Sequence, residues 1–411
     1  MGLKLILDQI AGDSDVMGST IEPQVSTTSE IEAIYETVFE WARDRDFAGY
    51  DPYDGLNSPF FAPLRRHWLS RLLGLHAVRL APINLREALR VPQQRNPKAI
   101  ALFAHACLCR YDRTGRTEHL ERAESLLEWL YGVRSDAFEQ PCWGYNFDWQ
   151  NGRKFYLPAY HPCVVVSVFC GRAFVKHYRL TGDEQSFRIA TGVAEFIVDE
   201  LNAVRVGEHE ALSYTPYENF VVVNANALAA DYLYSIGQLT GDSERIDRAA
   251  ALFEFVVSTQ VDSGGWYYAV PRSESHLDHD NFHTGFVLES LHDYAMDQTV
   301  GHPARIAYER GMAFYRSALF EPSGAPKFEA DQAVPYDVHS AAQAIITFGQ
   351  HANAPDTEMA DRVLQWTIDA LYDSDGYFYR RVGRFGTDKT PYMRWSQAWM
   401  CLALARYLDG P

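Results

Sequence analysis

Apolar and charged positions alternate along the chain with a long period that predicts paired helices. The stretch Ala225 to Leu233 is almost wholly apolar, whereas the stretch that follows it, Glu244 to Arg248, keeps a charged face. A helix that is apolar all round is covered on every side, and a helix with one charged face lies at the surface. The pattern therefore predicts helical hairpins whose first helices form an inner layer and whose second helices form an outer layer.

Short turns, most clearly Thr-Gly-Asp, separate the two helices of each hairpin. Thr181-Gly182-Asp183 and Thr240-Gly241-Asp242 lie 59 residues apart, and weaker copies occur at Thr114-Gly115, Val300-Gly301-His302 and Ala354-Pro355-Asp356. A repeat of this length indicates a helical array, because a single hairpin cannot bury both of its faces.

The periodicity predicts five hairpins between two single helices. The predicted pairs are 97–113 with 117–133, 162–181 with 184–203, 221–240 with 243–260, 282–298 with 303–319 and 337–352 with 356–372. The single helices are 29–45, with Ser29 as its cap, and 392–408. If these two pair, twelve helices close into an all-α (α/α)6 toroid, which needs no polar capping repeat. We expect one domain over 29–411, a loop and helical insertion at 46–92 near its cleft, and a flexible lead-in at 1–28.

Composition and charge narrow the class of protein. Apolar residues make up 47 % and charged residues 22 % of the chain, which are globular values. The net charge of −17 argues against a nucleic-acid partner. Of the 37 basic residues only six are Lys and the rest are Arg, which indicates either a salt-adapted surface or a GC-rich genome.

The cysteines and the apolar runs of the sequence predict the cellular compartment of the protein. The six cysteines lie mostly in apolar stretches without metal-ligand spacing and predict reduced core residues of a cytoplasmic protein. No signal peptide is predicted, and the longest apolar run, Pro162 to Cys170, is too short to span a bilayer. Peripheral membrane contact remains open. No metal ion and no cofactor is predicted.

The loops that lead into the inner helices carry most of the unusual residues, and in a toroid they converge at one end. Aromatic rings beside carboxylates and amides suit sugars, because rings stack on pyranose faces while polar groups bind hydroxyls. The alternative is that these aromatics only anchor the loops. The predicted substrate-binding residues are Asp54, Tyr145, Asp148, Trp149, His161, Glu218, Asn224, Trp266, Asp278, His339, Arg394 and Trp395.

Candidate chemistry centres on Asp278 to His283. His283 is predicted to transfer a proton at the start of an inner helix, with Asp280 beside it; the two aspartates could instead be helix caps. Asp337 and His339 repeat this arrangement one hairpin later. The predicted catalytic residues are His283, Tyr217, Asp280, Asp337 and Tyr267.

Three kinds of function fit these residues. Removal of a proton next to a sugar carboxylate needs a base, an acid and a cation, which Tyr217, Tyr267, His283 and Arg394 could supply. The alternative is a glycoside hydrolase or a uronate lyase that uses paired carboxylates, which could come from Asp148, Glu218, Asp280 and Asp337. The third possibility is a non-catalytic toroid that binds glycans.

Several short motifs resemble a known group of proteins. Asp-Pro-Tyr-Asp-Gly-Leu at 51–56, the Leu-Thr-Gly-Asp turns, Gly-Gly-Trp-Tyr-Tyr at 264–268 and Arg-Trp-Ser-Gln at 394–397 resemble (α/α)6 toroid proteins encoded with surface-polysaccharide and haloarchaeal N-glycosylation genes. Two of these segments are also similar to glucuronyl C5-epimerases. Thr-Gly-Asp and Gly-Gly-Trp also occur in unsaturated glucuronyl hydrolases and in terpene cyclases, whose Asp-x-Asp-Asp motif is absent here. The resemblance implies that the substrate is a uronic-acid-containing saccharide, free or lipid-linked.

Overall fold

The computed structural model describes residues 26–81, 83–151, 153, 155–350 and 353–410. The predicted lead-in therefore lies outside the described residues except for its last three positions. Within the described residues the helices are α1 Thr28–Arg43, α2 Trp68–Arg79, α3 Pro97–Thr114, α4 Thr117–Gly132, α5 Val164–Thr181, α6 Glu184–Asp199, α7 Val223–Thr240, α8 Ser243–Ser258, α9 Asn281–Asp297, α10 Pro303–Ala318, α11 Val338–Gly349, α12 Ala354–Leu371 and α13 Trp399–Asp409. None of them combines the length and apolar character needed to cross a bilayer.

Twelve of these helices form two concentric rings. The inner ring runs α3, α5, α7, α9, α11, α13, each helix packs on the next, and α13 packs back on α3. The outer ring consists of α1, α4, α6, α8, α10 and α12, and α1 packs on α13 as the sixth pair. The predicted (α/α)6 toroid, closed by the first and last helices, is confirmed. Helix ends differ from the predicted ones by up to four residues, except that Met393–Ala398, at the start of the last predicted helix, form a π-helix directly before α13.

The Thr-Gly-Asp turns connect inner to outer helices by a simple local mechanism. Gly182 and Gly241 end their helices in the left-handed conformation, with φ of 73° and 71°. Asp183 and Asp242 then cap the following helices by accepting hydrogen bonds from the backbone N–H groups of Ser186 (2.7 Å) and Arg245 (3.1 Å). One glycine and one aspartate are therefore enough to end one helix and begin the next.

Short strands line the opposite rim, where loops enter the inner helices. Antiparallel pairs join β1 Trp149–Asn151 to β2 Phe155–Leu157, β3 Ala203–Val206 to β4 His209–Leu212, β5 Val221–Val222 to β6 Ala269–Val270, and β8 Tyr372–Asp373 to β9 Tyr377–Phe378. A three-stranded sheet has the order β11 Gly386–Asp388, β10 Arg381–Gly383, β7 Tyr336–Asp337.

Main-chain hydrogen bonds join the rim into a circle. In five of the six inner segments, the first residue donates its N–H to a carbonyl in the loop that enters the next inner helix. These bonds are Val164 to Tyr214 (3.1 Å), Val223 to Tyr268 (2.9 Å), Asn281 to Phe328 (3.1 Å), Val338 to Arg380 (3.0 Å) and Met393 to Tyr50 (3.2 Å). Each loop is thereby held over the neighbouring helix.

The sixth junction is made by side chains. Helix α3 begins with Pro97, which has no N–H to donate. The Asn96 side chain instead donates to the Asn146 side chain across a 2.6 Å bond, while its oxygen accepts from the N–H of Lys98 (3.0 Å). The circle therefore closes despite the proline.

The predicted cap of the first helix needs correction, whereas the helical insertion agrees with the prediction. The cap of α1 is Thr27 rather than Ser29, because the Thr27 hydroxyl and the Glu30 carboxylate bond reciprocally to each other's backbone N–H in a capping box, which requires Glu at the third helical position. The insertion contains one α-helix, α2, preceded by 3-10 turns at Asp54–Asn57 and Pro59–Arg66. All six cysteines are buried and unpaired, as predicted.

The Gly182→Ala variant tests the turn. We expect its free energy of unfolding to fall by about 1 kcal/mol, since a Cβ disfavours left-handed backbone while the added atom meets nothing within 4 Å. Gly349→Ala at the end of α11 is the control, because that glycine has equal space and no positive φ. Urea unfolding measures both, and equal losses in the two variants would contradict this account.

Candidate active site

Side chains from the first turns of several inner helices meet at the centre of the loop-bearing rim. Because Cα–Cβ bonds tilt toward a helix N-terminus, residues just inside the start of each inner helix lean into the mouth of the ring. Rings of Phe282 and His339 lie 4.5 Å apart, and those of His339 and Trp395 also lie 4.5 Å apart. We call Lys98, Phe282, His283, His339, Arg394 and Trp395 the central cluster.

Lys98 is a member of the cluster that the sequence analysis missed. Its Nζ lies 4.0 Å from the ring centroid of Phe169, 5.1 Å from Trp399 and 5.3 Å from Phe286, three rings from three other inner helices. Among the described residues it makes no side-chain hydrogen bond or ion pair, and the residue is 2 % exposed. Burial, reinforced by Arg394, holds the pKa of Lys98 well below its ordinary value. The sequence feature that could have indicated this residue is a lysine that follows Asn-Pro at the start of a predicted inner helix.

His283 is held by Asp280. The Asp280 carboxylate accepts hydrogen bonds from the His283 backbone N–H (3.1 Å) and from ring Nδ1 (2.9 Å). That pairing places the proton on Nδ1 and leaves Nε2 as an acceptor, a tautomer inferred from the bond. The His283 side chain remains 16 % exposed, between the rings of Tyr268 (4.5 Å) and Phe282 (3.9 Å). Asp280 therefore caps α9 and orients the imidazole.

His339 is differently placed, which corrects the predicted repetition of the Asp–His pair. Asp337 accepts from the backbone N–H of His339 (2.9 Å) and from Trp395 Nε1 (2.7 Å), not from the imidazole. Both ring nitrogens of His339 are buried without a hydrogen-bond partner among the described residues. Burial, then Lys98 and Arg394, hold its pKa well below the ordinary value. His339 is therefore a neutral imidazole, while burial raises the pKa of Asp337.

Arg394 is bound by the insertion. Asp51 holds it in a two-point ion pair, with Nε–Oδ2 of 2.6 Å and NH2–Oδ1 of 2.8 Å, and both side chains are buried. Asp54 in the same loop pairs with Arg86 at 2.6 Å. Asp54 was predicted to bind substrate and Arg394 to face a substrate carboxylate; in the structure both are occupied by partners within the chain.

An aromatic wall borders the cluster. The Tyr53 ring lies 5.8 Å from Trp395 and 6.2 Å from Trp149, and the Tyr145 ring lies 6.3 Å from Trp149. The Arg394 guanidinium lies 5.1 Å over Tyr145. Three predicted residues, Tyr145, Trp149 and Trp395, are thus brought together, and Tyr53 joins them from the insertion.

Two predicted carboxylates brace their own loops. Asp148 accepts from the Tyr156 hydroxyl and the Ala159 N–H, both at 3.0 Å. Glu218 accepts from the Thr215 N–H (3.0 Å) and hydroxyl (2.9 Å) and also from the Phe220 N–H. Asn224, the second residue of α7, has a buried Oδ1 without a hydrogen-bond partner among the described residues.

Other predicted residues contact groups outside the cluster. Tyr217 is 50 % exposed and packs on His161 (5.4 Å between rings). Trp266 is buried, with Nε1 donating to the Val256 carbonyl at 2.9 Å. The Tyr267 ring stacks on His279 (4.6 Å), and Asp278 pairs with Arg272 (2.8 Å). Roles for these residues stay predictions. Among the described residues, no group of three or more His, Cys, Asp or Glu could hold a metal ion.

The two rings and the cluster at their mouth define an (α/α)6 toroid with a candidate active site at the loop-bearing end. No protein-family model matches this chain, and no curated protein sequence does. The expected similarity to toroids that process carbohydrates is confirmed by solved structures. The particular likeness to glucuronyl C5-epimerases and N-glycosylation proteins stays a prediction.

Three solved structures illustrate the similarity. Cellobiose 2-epimerase from Bacillus thermoamylovorans B4167 has a TM-score of 0.64 at 12 % identity, over 92 % of this chain and 98 % of that one. A family 88 glycosyl hydrolase from Bacteroides vulgatus has a TM-score of 0.59 at 10 % identity, over 93 % and 99 %. An unsaturated glucuronyl hydrolase specific for heparin has 0.59 at 13 % identity, over 93 % and 97 %. At these identities the likeness shows the fold.

The lowered pKa of His339 predicts a pH-dependent stability. Below about pH 6.5 the imidazole of His339 binds a proton in the unfolded chain but not in the folded chain. The folded state therefore loses stability as the pH falls. For this one group the slope reaches about 1.4 kcal/mol per pH unit. Urea unfolding of the wild type and His339→Gln from pH 5 to 8 measures it. The wild type should lose stability relative to the variant only below about pH 6.5; a pH-independent difference would overturn the assignment.

Proposed function

We propose that the protein is a carbohydrate-active enzyme that epimerises or isomerises a sugar by moving a proton next to a carboxylate. The substrate proposed is a hexuronic acid in a surface glycan, an N-glycan or its lipid-linked precursor. The observation that carries this proposal is a pair of unlike imidazoles, His283 and His339, whose rings lie 3.9 and 4.5 Å from the ring of Phe282. The similar toroids add support, because their names describe epimerisation or hydrolysis of saccharides.

In this proposal one histidine removes a proton from the sugar and the other returns one. His283 Nε2 accepts the proton from the carbon next to the carboxylate, and Asp280 stabilises the imidazolium that forms. The electron pair of the broken C–H bond moves onto the carboxylate, giving an enediolate. His339 is neutral in the free enzyme, and the negative charge of the bound carboxylate favours its protonation. The resulting imidazolium returns a proton to the opposite face of that carbon and becomes neutral again. His283 then releases its proton to solvent, and His339 takes one up when the next substrate binds. The sugar ring is held against the aromatic wall.

Lys98 supplies the cation that a hexuronate needs. Two nitrogens of Arg394 are already taken by Asp51, whereas Lys98 Nζ has no partner in the described chain. A substrate carboxylate beside Lys98 would favour the charged ammonium and reverse the lowered pKa found in its absence. The buried ammonium would then stabilise the charge that develops on the carboxylate oxygens.

Hydrolysis or elimination by paired carboxylates has less support. Asp148 and Glu218 brace loops, Asp280 holds His283, and Asp337 binds Trp395 and caps α11. Each would have to give up these bonds to act as acid or nucleophile. A non-catalytic binding toroid would use the aromatic wall but leaves the buried, unpartnered His339 without a role.

Deuterium exchange separates these functions. The protein is incubated in D2O with a glucuronate-containing oligosaccharide and, separately, with a neutral cello-oligosaccharide. We expect deuterium to be incorporated at C5 of the uronate without cleavage of the saccharide. NMR and mass spectrometry detect this incorporation. A new reducing end would instead indicate hydrolysis, and an unsaturated product a lyase. Saturable binding without any change would favour the binding toroid.

Substitutions at the Asp–His pair test the mechanism. His283→Gln should lower the exchange rate by about 100-fold or more, because the base is lost. Asp280→Asn should lower kcat and alter the pH profile, while Asn still caps α9. Asp242→Asn is the matched control, since Asp242 caps α8 across the same 3.1 Å distance at the opposite rim. Equal exchange rates in the Asp280 and Asp242 variants would count against the mechanism.

A further inference from the structure

An arginine-lined cleft lies beside the central cluster. It has a volume of about 590 Å³ and lies between the end of α2, the turn at Val334 and Pro335, and the hairpin of β10 and β11. That volume is in the range of ordinary small-molecule sites. Five arginines line it: Arg79, Arg86, Arg380, Arg381 and Arg384.

The cleft carries positive charge that the chain does not neutralise. Arg86 pairs with Asp54 (2.6 Å) and Arg380 with Asp388 (3.0 Å). Among the described residues, Arg79, Arg381 and Arg384 have no carboxylate within 4.0 Å. Asp337 lies opposite Arg381 in the sheet, but one of its oxygens already accepts from Trp395 Nε1 and from the His339 N–H. In a chain of net charge −17, this one cleft thus holds three guanidiniums that have no carboxylate partner among the described residues.

The scaffold holds these like charges together. Arg381 is on the central strand of the three-stranded sheet, bonded on both sides through its main chain. Arg86 and Arg380 both lie over the Tyr392 ring, at 4.9 and 5.3 Å from its centroid. Arg380 is 4 % exposed, and its Nε is buried without a hydrogen-bond partner in the described chain. Burial and the neighbouring Arg380 lower the pKa of Arg381. An anion would relieve this repulsion and pair with the free N–H groups.

The cleft adjoins the candidate active site. The Arg79 guanidinium lies 4.8 Å over the Tyr53 ring, and Tyr53 in turn lies 5.8 Å from Trp395 in the central cluster. Tyr53 therefore contacts both the aromatic wall and an arginine of the cleft.

We propose that this cleft is an anion subsite that binds a carboxylate, sulfate or phosphate of the glycan while another sugar unit occupies the central cluster. The inference rests on the proposed function and specifies its substrate class, a saccharide with a second anionic group. The group could be a further acidic sugar or the phosphate of a lipid carrier. The exposed Leu80, Ile83 and Phe385 at the cleft edge, the last 98 % exposed, would accommodate an apolar carrier.

Binding measurements on an Arg381→Gln variant test the subsite. The probes are an oligogalacturonate, a neutral cello-oligosaccharide of equal length, and an isoprenyl phosphate sugar, each titrated by calorimetry. We expect Arg381→Gln to bind the anionic probe that the wild type prefers about tenfold more weakly than the wild type does, a loss of about 1.4 kcal/mol in binding free energy. Its affinity for the neutral probe should be unchanged. Arg188→Gln on the outer helix α6 is the control and should bind all probes as the wild type does.

The outcomes separate this inference from the proposed function. If the wild type binds the oligogalacturonate more tightly than the isoprenyl phosphate sugar, the anion belongs to an acidic sugar. If it binds the isoprenyl phosphate sugar more tightly, the anion belongs to a lipid carrier. Unchanged affinities in Arg381→Gln, or an equal loss for neutral and anionic probes, would overturn the subsite. His283→Gln should lose deuterium exchange yet keep its preference for anions. If the wild type exchanges no deuterium but Arg381→Gln still loses the anionic probe, the subsite stands and the enzymatic proposal fails.

Discussion

The circle of main-chain hydrogen bonds at the loop-bearing rim is the constraint on which the rest of this structure depends. Each inner segment donates its first N–H to the loop entering the next inner helix, and Asn96 with Asn146 replaces the bond that Pro97 cannot make. These N–H groups would otherwise lack a partner at the helix ends, where an unpaired buried donor is costly. One set of bonds therefore satisfies the helices, fixes the loops and closes the ring.

Convergence of helix starts also explains the unusual electrostatics of the mouth. Helix N-termini carry partial positive charge, and Lys98, His339 and Arg394 add basic groups there in a buried space. Asp51 neutralises Arg394, and the remaining two groups respond to burial with lowered pKa values. Lys98 and His339 are therefore buried basic groups without a side-chain hydrogen-bond partner among the described residues, which suits the anionic substrate that we propose. The adjoining arginine cleft adds three guanidiniums that have no carboxylate partner among the described residues.

Much of the architecture could be predicted because it is written in short-range patterns. Thr181-Gly182-Asp183 ends one helix and caps the next through atoms a few residues apart, and the burial of α7 against the half-exposed α8 follows from spacing alone. Capping also gave the pairing of Asp280 with His283, three residues apart. Aromatic loops at one rim followed from counting helices, since alternate connections of a closed ring must lie at the same end.

The identity of the neighbours across the mouth was decided by tertiary structure. The Asp51–Arg394 pair joins residues 343 positions apart, and only ring closure brings them together. Lys98 resembles any lysine in a helix until three rings from other inner helices surround it. Conversely, Tyr217 and Glu218 are residue types that suit a sugar site, but Tyr217 packs on His161 and Glu218 braces its own loop, both outside the central cluster. The sequence alone determined the helices, their turns and the position of the loop-bearing rim, because these features depend on residues within one or two helical turns of each other. Which side chains meet there depends on the register in which twelve helices close, and no local pattern encodes it.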